Sequence, residues 1–323
     1  MTHAILIHET GGPEVLRWAE TEVGDPGPGQ ALIRQSASGL NFIDVYHRSG
    51  LYPQPLPFIP GVEGAGTVER VGGGVQSVKP GDRVAYAGPI GSYAERRLID
   101  ADRLVKLPDD IGFEQAAAAM LQGMTARMLL RSVYEVKKGE TILVHAAAGG
   151  VGLILCQWAS ALGAIVIGTV STERKAELAS AHGCRHPIVY TRQDFVAEVD
   201  RITSGRKLPV VYDSVGKDTF GRSLDCLRPR GLMVSFGNAS GPPEPISPLV
   251  LSSKGSLFLT RPTLFDYIAT RQELEQSASE LFDMVRTGKV RIEVGQRFPL
   301  ADAADAHRAL EARRTTGSTI LAI

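Results

Sequence analysis

The chain has 323 residues, 35 Lys plus Arg against 35 Asp plus Glu, 35 glycines and three cysteines. That length suits two domains, and the balanced charge speaks against a nucleic-acid or anionic-membrane partner and for small-molecule chemistry. Cys156, Cys184 and Cys226 are odd in number and lack metal-ligand spacing, so a reducing, cytoplasmic setting is expected; no run approaches the ~20 apolar residues of a membrane helix, and no signal peptide is expected at the start.

In chain order, the segment to about Lys106 reads as irregular β-structure. Its short apolar runs are broken by turn signals at Gly11-Gly12-Pro13, Asp25 to Gly29, Gly72 to Gly74 and Lys79 to Asp82. An Ala/Leu/Met-rich helical stretch spans 112–130. From about Lys137 strands and helices alternate. Strands are expected at 141–146, 164–170, 187–190, 210–213, 232–236 and 256–260, with helices at 151–162, 174–182, near 203 and at 220–226. This is the pattern of a doubly wound parallel sheet. A Pro/Gly-rich loop spans 237–248. A helix at 271–287, a strand at 290–293, a helix at 301–313 and a strand at 319–323 follow. This tail is assigned back to the first domain, since the parallel sheet already has six strands. The expected division is 1–125 with 261–323, and 126–260.

The most telling stretch runs from Thr141 to Gly152. A strand, a tight glycine turn and a helix start form the order of elements that seats the pyrophosphate of a dinucleotide. Gly149 and Gly150 allow close approach of backbone to phosphate, and Gly152 lets the helix pack on the strand. The run Ala146-x-x-Gly149-x-x-Gly152 departs from the usual Gly-x-Gly-x-x-Gly, so the flanking strand and apolar helix carry the assignment.

The order of parts, together with several blocks, resembles the medium-chain dehydrogenase/reductase superfamily, and within it the zinc-free, zeta-crystallin-like quinone oxidoreductases. The blocks are 39–46, 47–52, 60–66, Ala146 to Gly152, 212–216, 235–238 and 259–262. The resemblance covers nearly the whole chain. It implies an α/β protein: a GroES-like β-rich catalytic domain plus a Rossmann domain that binds NADPH. It also implies a homodimer through the Rossmann domain, with strand 256–260 pairing edge to edge.

The zinc branch of this superfamily places a cysteine near the start of 39–44 and a histidine before the residue matching Glu63. Here Val62 stands at the second position and no cysteine precedes Cys156, so a metal-free enzyme is expected, with Glu63 a structural partner. At the tip of the second strand no acid stands at Ser171, while Arg174 and Lys175 can offset a 2′-phosphate; Glu173 is the dissenting residue. The resemblance implies a phosphate site of Ser171, Lys175, Tyr190 and Arg313. It also implies a cofactor set of Asn41, Tyr46, Thr125, Gly149, Gly150, Val151, Gly152, Ser214, Gly216, Phe236, Gly237, Asn238, Phe258 and Thr260, with the nicotinamide in a cleft between the domains. Asn41, Asp44, Tyr46 and Tyr52 are the expected catalytic residues, the tyrosines to hydrogen-bond a quinone oxygen. His145 is read as packed, and His47 as a surface helix or loop residue. The expected reaction is hydride transfer from NADPH to a quinone. The alternatives are reduction of an enone or alkenal double bond and, in a different class, nucleotide or RNA binding; no basic-aromatic stripe favours the last.

Overall fold

The computed structural model describes residues 1–323, which form two compact units. The first comprises Met1–Met124, Ile268–Arg286 and Ile292–Ile323; the second comprises Thr125–Tyr267 and Thr287–Arg291. Against the expected 126–260, the second unit runs seven residues further and takes back a short later segment.

The first unit is built on the long strand Gln30–Leu40. Glu63–Val71 and Arg96–Asp100 pair antiparallel with it, and its end, Ala37 to Leu40, pairs antiparallel with Ser318–Ala322. Val294–Pro299 then runs parallel to Ser318–Ala322, so the chain terminus completes the same seven-stranded sheet. Two apolar clusters fill this unit. Ile33, Val68, Val84 and Tyr86 belong to one; Ile5, Ile7, Leu40, Tyr93 and Leu321 belong to the other.

Two expectations are corrected here. The strand expected at 290–293 lies at Val294–Pro299, where burial alternates along the strand as one covered face requires. The first 106 residues are also not all β: Phe42–Ser49 is a helix. Asn41 precedes it in extended conformation, Asp44 stands at its third position, and Gly50 closes it at φ 82°. These are ordinary start and stop signals.

The second unit is a six-stranded parallel sheet. Numbered from its first strand, the order is 3-2-1-4-5-6: Cys184–Val189, Ile165–Val170, Thr141–Val144, Leu208–Asp213, Leu227–Ser235, Phe258–Thr260. This is the Rossmann order, and the expected fold class is borne out. The inner strands Ile165–Val170, Thr141–Val144 and Leu208–Asp213 are largely apolar because helices cover both faces; Leu143, Ile167, Val211 and Met233 are buried together with Phe195 and Leu224 from the helices. Since all six strands are parallel, their carboxyl ends share one edge of the sheet, and the turns that leave it lie together. No helix is long and apolar enough to cross a membrane.

Candidate active site

The glycine turn leaves the central strand Thr141–Val144 and enters the helix Gly150–Ala161. Gly149 is the helix N-cap in extended conformation, and no side chain caps the first N–H groups. Those donors remain available to an anion. A Cβ on Gly152 would lie 2.2 Å from Ala146 O and 2.8 Å from Ala147 C, so only glycine lets helix and turn approach this closely. Ala146 holds φ 52°, the left-handed region, and its carbonyl accepts from Gly149 N at 2.9 Å. A Cβ there costs about 1–2 kcal/mol. Strain of this kind gathers at functional turns.

The other expected residues of this unit follow the same strand ends. Ser171 follows the second strand; its carbonyl accepts from Thr191 Oγ1 at 3.1 Å. Tyr190 follows the third strand, is 40% exposed, and its N–H bonds Val170 O beside Ser171. Lys175 is half-buried in the first turn of Glu173–Ala181, where Thr172 caps its N–H. Glu173 is turned to Arg192, 3.0 Å away on the exposed surface.

Ser214 and Gly216 follow the fourth strand. They are organised by Asp213, which is fully buried and accepts from Val215 N, Gly216 N and Thr219 Oγ1 at 2.8–3.0 Å. Phe236, Gly237 and Asn238 follow the fifth strand; Phe236 N bonds Asp213 O, and Arg261 Nη1 donates to Gly237 O. Thr260 ends the sixth. Phe258 begins that strand, two residues short of its end, on the open sheet edge, 60% exposed. Thr125 lies half-buried in the helix Met120–Met128. His145 is buried and packed, bonded to Thr169 Oγ1 and Ser223 Oγ.

In the first unit, Asn41, Tyr46 and Tyr52 come together around the helix Phe42–Ser49. Tyr46 and Tyr52 pack edge to face at 5.1 Å, and Tyr52 N bonds Tyr46 O. Asn41 is held on both sides: Nδ2 donates to Glu63 Oε2 at 2.7 Å, and Oδ1 accepts from Gln122 Nε2 at 3.0 Å. Gln122 Oε1 in turn accepts from Ser318 Oγ at 2.7 Å. The second Glu63 oxygen accepts from Leu121 N at 2.7 Å. The carboxylate fits because residue 39 is glycine; a Cβ there would stand 2.4 Å from Glu63 Oε2. Burial pushes Glu63 up to about 8, against the pull of these two donors. Sequence reasoning did not find Gln122 or Ser318, which carry no local signal.

Asp44 is a correction. It is fully buried, and its Oδ2 accepts from Asn41 N at 2.9 Å and Tyr93 Oη at 3.0 Å, so it serves as an internal acceptor. Burial raises it to about 7. His47 is another: it is buried, not a surface residue, its Nδ1 has no hydrogen-bond partner, and burial lowers its pKa. Arg313 follows the helix Ala303–Glu311 at φ 58°, exposed.

No three His, Cys, Asp or Glu side chains converge to hold a metal ion, and both Glu63 oxygens already accept from N–H groups. The residues do not fit a zinc.

A Rossmann sheet with an uncapped glycine turn, in one chain with a β-rich unit that has a returning tail, defines a nucleotide-dependent oxidoreductase of the dehydrogenase type. Residues 27–109 match the alcohol dehydrogenase GroES-like domain, and residues 150–284 match the zinc-binding dehydrogenase family. The chain is 57% identical to a quinone oxidoreductase of Pseudomonas aeruginosa, covering 99% of each. It is 47% identical to a 2-haloacrylate reductase of a Burkholderia species, again over 99% of each. Among solved structures it is similar to the Escherichia coli quinone oxidoreductase complexed with NADPH: TM-score 0.98, 50% identity, 99% of this chain and 100% of that one. The chain therefore belongs to the bacterial quinone oxidoreductases of the medium-chain dehydrogenase/reductase superfamily.

Proposed function

We propose that this chain is a metal-free, NADPH-dependent reductase of quinones. The observation that carries the reading is the uncapped glycine turn at the head of the Gly150–Ala161 helix, on the central strand of a Rossmann sheet. Its N–H groups and the helix dipole suit a pyrophosphate, and the space that Gly152 leaves would be filled by any Cβ. For the 2′-phosphate, Ser171, Lys175 and Tyr190 supply donors. Glu173, the one acid near the second strand tip, is engaged with Arg192. The complex of the Escherichia coli relative with NADPH supports the same choice.

When bound, the cofactor supplies a hydride from C4 of its nicotinamide ring. The remaining work is positioning and charge. Glu63 and Gln122 fix both ends of the Asn41 carboxamide, which leaves its second N–H hydrogen and second lone pair for a ligand. Tyr46 and Tyr52 place hydroxyls on one aromatic cluster, suited to donate to a quinone oxygen as it gains negative charge. Hydride plus one proton from water converts the quinone to its hydroquinone. The lack of a convergent ligand set supports chemistry without metal. The open sheet edge at Phe258–Thr260, with Phe258 and Leu259 exposed, supports a homodimer by edge pairing.

A second reading, reduction of an activated C=C bond, is favoured by the 2-haloacrylate reductase relative. Both are tested by one experiment: consumption of NADPH and NADH by metal-stripped protein with matched quinones and enones. NADPH-selective quinone turnover upholds the first reading. Faster enone turnover upholds the second. NADH preference, or activity only after zinc is added, overturns both.

A further inference from the structure

A buried polar chain in the first unit takes no part in the function just proposed. On the helix Phe42–Ser49, Asp44 and Arg48 stand four residues apart and so share a face. On the helix Ala303–Glu311, His307 and Glu311 do the same. Arg48, His307, Tyr93 and Asp44 are all at most 2% exposed. Arg48 forks onto Glu311 at 2.8 and 2.9 Å, and its Nε donates to Gly11 O. Its Nη1 also lies 3.3 Å from His307 Nδ1. His307 Nε2 lies 3.2 Å from Tyr93 Oη, and Tyr93 Oη lies 3.0 Å from Asp44 Oδ2.

Donor and acceptor rules allow one assignment. A guanidinium only donates, so His307 Nδ1 is an acceptor and the ring's proton is on Nε2. Nε2–H then donates to Tyr93 Oη, and the single hydroxyl hydrogen of Tyr93 goes to Asp44. Asp44 Oδ2 also accepts the N–H of Asn41, the residue that opens the helix. A protonated His307 would set a donor against Arg48. Burial and the Arg48 charge accordingly drive His307 down to about 3.

We infer that Arg48, His307 and Tyr93 are positioning residues: a one-way chain of donors that fixes the entry of the Phe42–Ser49 helix, and with it the set of Asn41 and Tyr46. This rests on the proposed role of those two residues in holding cofactor and acceptor. The groups that bear on Asp44 are Tyr93 and the backbone N–H groups of Asn41 and Val62; Arg48 and His47 stand on its own helix, His307 lies behind Tyr93, and the charge of Glu63 opposes a second carboxylate nearby. Asp44 Oδ1 is buried without a partner. The Tyr93 hydroxyl, with the Asn41 and Val62 N–H groups, offsets the burial that raises this carboxyl to about 7.

Two measurements on the full chain test this. In Tyr93→Phe, Asp44 loses a donor to its charged form, so its pKa rises further, its ionised fraction at pH 7 falls, and the KM for NADPH rises there by several-fold, up to about tenfold, the worth of one hydrogen bond to a charged group. The ratio of variant to parent falls back toward one at pH 9, where Asp44 is ionised without help. A loss of purely structural origin gives the same ratio at every pH, and that result, or no change at all, overturns the inference. The second measurement needs no variant. The 15N signals of His307 in the intact protein report a neutral ring with hydrogen on Nε2 from pH 8 to pH 5. A ring with hydrogen on Nδ1, or one that titrates near its ordinary pKa, overturns the chain even if Tyr93→Phe does not fold. Failure of the parent to bind NADPH would sink the proposed function, while the ring signals still decide the chain.

Discussion

Gly152→Ala probes the cofactor cradle most directly. The new methyl carbon would lie 2.2 Å from Ala146 O, 2.8 Å from Ala147 C and 2.9 Å from Ala147 Cα. All three are backbone atoms, so no rotamer change relieves the contact. The Gly150–Ala161 helix must retreat from the turn by roughly 1 Å to reach ordinary van der Waals contact, and overpacking of this kind costs about 1–3 kcal/mol. At about 2–4 °C per kcal/mol for a unit of this size, the ligand-free Tm falls by several degrees. The same retreat draws the helix N–H groups away from a bound pyrophosphate. Loss of one charge-assisted hydrogen bond weakens NADPH by about tenfold or more. Thermal unfolding without ligand and fluorescence titration with NADPH separate the two effects. Gly149→Ala is the control, because its Cβ would meet only Ala146 O, at 3.2 Å, and its backbone is extended; its Tm stays near that of the parent. Unchanged Tm and affinity in Gly152→Ala, or an equal Tm loss in Gly149→Ala, would refute the reasoning.

Lys175→Ala weakens NADPH by about tenfold, from the loss of roughly 1.5 kcal/mol at a charged group, and leaves NADH nearly unchanged; an equal loss for both cofactors removes Lys175 from the phosphate site. Glu63 gives stability a definite pH slope. Its folded pKa, raised to about 8 from 4.5, means the folded protein holds the proton more tightly. Its contribution is full below about pH 4.5 and is lost as pH rises through 8. Asp44 acts in the same sense between 3.8 and about 7. The urea midpoint of the parent therefore falls from pH 5 to pH 8.5 more steeply than that of Glu63→Gln, and parallel slopes would count against a buried, titrating Glu63. Leu259→Lys places a charge on the open sheet edge and is expected to shift the protein from dimer to monomer in sedimentation at micromolar concentration; a parent already monomeric there disposes of the edge pairing.

The Rossmann half was readable because its signals are local. Fully buried parallel strands are unbroken apolar runs such as Ile142 to Val144, and each is punctuated by a glycine or polar turn at its carboxyl end. The Phe42–Ser49 helix has only eight residues among many turn signals, so periodicity could not find it. Its cap was nevertheless written in the sequence, since Asn41 stands three residues before Asp44. That spacing also explains why Asp44 was misplaced. An acid beside Asn41 and Tyr46 looks like part of a reactive cluster, and only Tyr93, 49 residues away, shows that it points into the interior.

Glu63 carries the same lesson further. Its two donors come from 22 and 58 residues away, and the room for its carboxylate comes from the missing Cβ of Gly39. No one of these residues signals the arrangement alone. Val62 stands where the zinc branch is expected to carry a histidine, and the neighbouring Glu63 carboxylate, with Gln122, holds an asparagine amide in place. The electrostatic consequence differs accordingly: a site ordered by hydrogen bonds to a buried acid changes with pH through that acid, so cofactor affinity and stability should share a titration near pH 7–8.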